Sequence, residues 1–198
     1  MIALPMDSKG RYTKFPQGKT EIRFLTEPIP GFQVWIEENG KRKPVRCKAI
    51  EVDTGLTDSK GNKIYRSEES QVLPTPVAGE YKKFILVALV WNYNTEQIEV
   101  FVVDKSTIWR PLAEYNNHKD WGSPVNYNIT ITRVGEGREK TKYSVIPSPA
   151  KPLDKEIEKR FKEEKKNIDL EKIFTGENPF SATPSNAESI IDPDDIPF

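Results

Sequence analysis

The sequence has one cysteine, Cys47, and one histidine, His118, in 198 residues. A single cysteine rules out an intrachain disulfide, which suits a reducing compartment. One Cys with one His also falls short of a four-ligand zinc site. Serine-nucleophile chemistry would have to run through His118, in the polar stretch "NNHKDWG", and no nucleophile-elbow motif accompanies it. A glycine-rich phosphate loop is missing too, since "GEGR" lacks both the spacing and the lysine. No clustered set of carboxylates stands out. These absences argue against an enzyme and against a bound cofactor or metal ion. The longest apolar run, Phe84 to Trp91, is far too short for a membrane-spanning helix. The N-terminal "MIALPMDSKG" meets Asp7 too soon for a signal peptide. The expectation is a soluble cytoplasmic protein (host cytoplasm if viral) with no membrane partner.

An even spread of charge is also missing. The chain carries 30 Lys/Arg and 30 Asp/Glu, yet residues 1–150 hold 22 basic against 18 acidic, and residues 151–198 hold 8 against 12. From Thr175 onward there is no Lys or Arg, while Glu177, Glu188, Asp192, Asp194 and Asp195 remain. A basic body with an acidic tail points toward a nucleic-acid or membrane partner, and the plainer alternative is a solubilising tail.

What is present is alternation. In "KTEIRFLTEP", Ile22 and Phe24 oppose Glu21, Arg23 and Leu25. Phe32, Val34 and Ile36 alternate with Gln33, Trp35 and Glu37, and after Asn39-Gly40, a strong hairpin turn, Val45, Cys47 and Ala49 alternate with Arg46 and Lys48. Residues 53–79 are rich in turn formers and predict a long loop with short extended pieces. "YKKFILVALVWNYN" is apolar on both faces, as a strand covered on two sides would be. "IEVFVV" follows as its antiparallel neighbour. "STIWRPLAEYNNH" predicts a short helix, capped by Ser106 or Thr107, with Pro111 tolerable only in the first turn. "PVNYNITITRV" and "EKTKYSVI" predict a last hairpin. Residues 153–174 predict a charged helix with a thin stripe of Leu153, Ile157 and Phe161.

Strands, one short helix, then two more strands is the element order of a five-stranded OB-fold barrel, an all-β class. The expected organisation is a flexible arm over 1–18, the barrel over 19–149, a charged helix or linker over 150–174, and a disordered acidic tail over 175–198 with a docking tip.

On this pattern Trp35 shares its side with Gln33 and Glu37, and Arg46 and Lys48 face away from the apolar row. Lys41, Arg42 and Lys43 lead into that strand. An aromatic beside a basic row is what a single strand of nucleic acid needs: bases stack, and Lys and Arg neutralise phosphates. Lys83, Trp91 and Tyr93 join the candidates from the central strand, where parity does not say which side is core; Trp91 leans to core and Tyr93 to contact. For Trp35 the competing reading is a lid on the barrel. Trp109 and Trp121 read as packing, Tyr127 and Tyr143 as core.

The chain closes on "DDIPF". This resembles the C-terminal tip of bacterial and phage single-stranded DNA-binding proteins, in Asp194, Asp195, Ile196, Pro197 and Phe198 with Asp192 just upstream. "DWGSPVNYNITITRVGEG" and "TKYSVIPSP" resemble a phage-type branch of that family. The resemblance implies a sequence-independent single-stranded DNA-binding protein of phage or mobile-element replication and recombination, whose tip recruits replication and recombination enzymes. A terminal Phe ring can fill an apolar pocket while its carboxylate meets a basic residue of the partner. An RNA-binding barrel, a protein–protein adaptor and an unrecognised enzyme stay open as alternatives, as does a homo-oligomer.

Overall fold

The computed structural model describes residues 11–180. The run that is apolar on both faces becomes the central strand β5, Lys83–Asn92. Successive side chains of a strand point to opposite faces. Phe84, Leu86, Ala88 and Val90 therefore join one core, and Ile85, Val87, Leu89 and Trp91 another.

Strands β1 (Gly18–Phe24) and β2 (Ile29–Glu38) lie end to end along one edge of β5, with Phe24 opposite Val90 and Ile29 opposite Val87. The kink between them is stitched to β5. Leu25 N donates to the Leu89 carbonyl at 2.8 Å, and Leu89 N donates to Thr26 Oγ1 at 3.0 Å. From β2 the chain turns at Asn39 and Gly40, both at positive φ (54° and 74°), into β3, Lys41–Thr57. Two central residues with positive φ match the twist of the flanking strands, so Glu38 pairs directly with Lys41.

β3 outruns β2 and pairs with β4, Lys63–Glu69. Much of the long loop expected over 53–79 is thus a hairpin. Its turn formers sit at the tip and at a register shift between Asp53 and Thr57, where they mask the alternation. β6 (Gln97–Val103) takes the other edge of β5, and β7 (Asn128–Val134) pairs with β1 and with β8, Lys142–Pro147. Helix α1, Ser106–Asn117, sits between β6 and β7 and buries Ile108 and Leu112 in the first core. Neither Ser106 nor Thr107 caps it; Lys105 holds the cap position, and its carbonyl accepts from Ile108 N and Trp109 N. Pro111 lies inside the helix, where the packing of Ile108 and Leu112 offsets its missing N–H. A four-residue helical turn, α2 (Gly137–Lys140), joins β7 to β8.

The fold is mostly β: an antiparallel sheet of eight strands ordered β4-β3-β2-β5-β1-β7-β8, with β6 on the remaining edge of β5. The closed five-stranded barrel of the sequence reading is corrected here. Among the described residues no ladder joins β6 to β8, so the sheet stays open. The N-terminal arm lies at that opening. Tyr12 bridges to Val100 on the free edge of β6, and Phe15 packs on Phe101 of β6 and Tyr143 of β8 at 6.0 and 6.3 Å. From Arg11 onward the arm is anchored.

The charged helix expected over 153–174 is broken into α3 (Lys155–Glu164) and α4 (Lys172–Thr175). Asp154 caps α3 by accepting from Glu156 N at 2.8 Å. The break lets two apolar sets reach the second core: Leu153, Ile157 and Phe161, then Ile168, Leu170, Ile173 and Phe174. Phe174 comes so close to β2 that a Cβ on Gly31 would stand 2.7 Å from its ring. Arg11 pairs with Glu164 and lies 4.9 Å over the Phe180 ring, so the two ends of the described chain meet.

Candidate nucleic-acid interface

Helices α3 and α4 cover only part of the second face of the sheet. Beyond their edge a cleft of about 670 Å³ opens, walled on one side by the arm residues Tyr12 to Pro16. Its floor follows from strand register. Gln33 of β2 is opposite Arg46 of β3 and opposite Lys83 of β5, which sets three polar side chains in one row across three strands. Trp35 stands two residues further along the same face of β2.

Arg46 anchors this row. Its Nε donates to Gln33 Oε1 at 2.7 Å. Burial pushes its pKa down to about 10, and the nearby Tyr12 and Asp104 oppose the shift. It therefore remains a cation at neutral pH, in a place where charge is weakly screened. Burial raises the Tyr12 hydroxyl, which keeps that side chain neutral. Lys83 Nζ lies 3.3 Å from Asp104, and Lys105 Nζ lies 3.4 Å from the same carboxylate. With Lys14 and Arg133, the lining presents five cations against a single carboxylate among the described residues. Arg133 Nη1 donates to the Phe15 carbonyl at 3.1 Å, tying the arm to β7.

Trp35 is half-buried, and its ring takes no aromatic or cationic partner among the described residues. Its carbonyl accepts from Val77 N at 2.8 Å, so its backbone is held while its ring edges the cleft. A fixed aromatic beside a row of cations can stack a base and neutralise the adjoining phosphates.

Of the residues expected from sequence, the cleft brings together Trp35, Arg46 and Lys83. Lys48 shares their face, but its Nζ is 2.6 Å from Glu171 and sits over the Phe174 ring, so α4 holds it. The run Lys41, Arg42, Lys43 alternates across the strand. Lys41 and Lys43, opposite Glu38 and Ile36, fall on the far face; Arg42 keeps the face of the cleft, 3.6 Å from Glu80. Trp91, a candidate that leaned to core, drops out of the contact set: it is 6% exposed and lies under Arg160, 4.7 Å from its ring. Tyr93 is half-buried away from the cleft, its hydroxyl donating to Asn128 Oδ1 at 3.4 Å. Asp192, Asp194, Asp195, Ile196, Pro197 and Phe198 lie outside the described residues.

Sequence reasoning missed Tyr12, Lys14, Lys105 and Arg133; Tyr143, read as core, packs against the first core and also lines the cleft. Only the alternation of "RYTKF" hinted that the arm has two sides. Tyr81 was missed as well; it is 65% exposed, with Lys83 Nζ 5.5 Å from its ring. Among the described residues no group of three His, Cys, Asp or Glu is placed to hold a metal ion, and no helix is long and apolar enough to cross a membrane. Comparison of the chain with family models, with curated proteins and with solved structures finds no match.

Proposed function

We propose that the chain binds single-stranded DNA without strong sequence requirement, as a protein of replication or recombination. The observation that carries this is the cleft: an unpartnered tryptophan beside five cations and one carboxylate, on an open sheet face. Stacking is available to every base, and Lys and Arg answer the phosphate backbone, so such a surface favours single strands over duplex.

The topology supports the same reading. β1 with β2, then β5, β6, α1, β7 and β8 follow one another in the order of an OB-fold, with α1 in the expected place. On this proposal the β3–β4 hairpin is an insertion, and the arm occupies the seam where β6 and β8 would otherwise close. The acidic tip adds a second role by its resemblance to the partner-docking ends of single-stranded DNA-binding proteins.

The test is a titration of labelled oligo-dT, the matching RNA and the matching duplex, repeated over a range of salt. Binding should favour the DNA single strand, with a log–log salt slope of about −0.7 per phosphate neutralised. Equal affinity for duplex, or a flat salt response, would refute the reading. Tighter binding to RNA would transfer the cleft to an RNA ligand.

A further inference from the structure

Gln33 is 4% exposed and lies in the floor of the cleft, between Arg46 and Lys83 in the row across the strands. Its amide has a defined orientation. The atom that meets Arg46 Nε at 2.7 Å must accept a hydrogen bond, because a guanidinium has donors only, so it is the carbonyl Oε1. The amide nitrogen is thereby turned the other way. It has no acceptor among the described residues and is open to the cleft rather than sealed from it. Gln33 thus offers a donor-only group, held in place by the half-buried Arg46, one same-face step of about 7 Å along β2 from Trp35.

We infer that Gln33 selects the base stacked on Trp35, favouring keto bases over amino bases. This rests on the single-strand reading of the cleft. Thymine carries a carbonyl oxygen at C4 and guanine one at C6, where cytosine and adenine carry amino donors. A keto oxygen accepts from the Gln33 amide; an amino group opposes it donor to donor and leaves both unpaired in a desolvated place. The sequence-tolerant surface therefore carries one position of preference, set by the Arg46–Gln33 bond.

The experiment compares dissociation constants for oligo-dT and oligo-dC. Both are pyrimidine strands, and any difference in their self-stacking is the same for wild type and variants, so the change in the dT/dC ratio on substitution reads Gln33 alone. Wild-type protein should prefer dT by about 10-fold, the worth of one hydrogen bond made against one left unmade. Gln33→Met should bring the two affinities together. Gln33→Glu keeps the partner of Arg46 but replaces the donor by an acceptor, and should shift the preference toward dC. Circular dichroism checks that each variant is folded. A dT/dC ratio near one in the wild type overturns the inference, and so does a ratio that neither variant changes, while tight binding to both strands would leave the single-strand reading standing. Failure to bind either strand would overturn both.

Discussion

Asp104 is the only carboxylate among the described residues lining the cleft, and removing its charge should tighten binding. It lies 3.3 Å from Lys83 and 3.4 Å from Lys105, so in the free protein it is shared by two of the five cations, and Lys83 has a second carboxylate, Glu80, at 3.7 Å. A pair of unit charges 4 Å apart is worth about 1 kcal/mol in water and about 4 kcal/mol at an effective dielectric constant of 20. Lys105 is half exposed and belongs near the first figure, while Lys83 is more enclosed. After discounting for solvent, Asp104→Asn should gain about 1–2 kcal/mol of binding at low salt, roughly 5- to 30-fold. Lys83 still faces Glu80, so one lysine, Lys105, is released to meet a phosphate, and the log–log salt slope should steepen by about 0.7. Fluorescence anisotropy with labelled oligo-dT from low to moderate salt reads both quantities. Asp120→Asn is the control, since that carboxylate is exposed on a loop beside His118 and outside the cleft. The gain should shrink as salt rises, because it is electrostatic. A folded Asp104→Asn protein that binds no more tightly than wild type, with an unchanged slope, would refute the placement of phosphates along Lys83 and Lys105.

Trp35→Ala should weaken binding by about 1–3 kcal/mol and leave the thermal midpoint nearly unchanged. Trp91→Ala should instead cost about 3–5 kcal/mol of stability, measured by denaturant unfolding, because that ring is core. Gly31→Ala should destabilise by about 1–3 kcal/mol, since the added Cβ would stand 2.6 Å from the Cys47 carbonyl oxygen and 2.7 Å from Phe174, and proteolysis should then cut first around α4. The fourth prediction concerns alkali. Burial raises the Tyr127 hydroxyl to about 12 from its ordinary value of 10, while the hydroxyl donates to the Gly122 carbonyl at 3.1 Å. The unfolded chain ionises first, so this contribution is intact below pH 10 and is lost as pH rises toward 12. Thermal midpoints from pH 9 to 12 should fall more steeply for wild type than for Tyr127→Phe, and parallel curves would contradict the assignment.

Strand parity was legible wherever one face of a strand is apolar. The outward side of Trp35 and Arg46 followed from Val34 and Cys47 alone, and the Asn39-Gly40 turn set the register that brings Arg46 opposite Gln33. Parity does not say what covers a face, and so it counted Lys48 among the available cations and left the side of Trp91 unsettled. Both lie beneath a segment more than 60 residues further along the chain, and the thin stripe of Leu153, Ile157 and Phe161 gave no direction for its docking. The arm was illegible for a related reason. Tyr12 and Phe15 are held by residues far along the chain, Val100, Phe101, Arg133 and Tyr143, which leave no periodic mark on so short a stretch.

The covering of the second core by α3 and α4 also sets an order of events during synthesis. Ile85, Leu89, Trp91, Ile98 and Val100 leave the ribosome well before Ile157, Ile173 and Phe174, their partners on the other side. Until then the apolar part of that face is bare, and bare apolar sheet is an aggregation hazard at the moment when neighbouring chains on a polysome are closest. The long sequence separation makes this a slow closure as well as a late one. The abundance of Lys and Glu around the apolar residues of the cover suits that timing, because it keeps the segment soluble until it docks. Translation speed across residues 150–180, rather than the stability of the finished sheet, should govern how much of this protein reaches the native state.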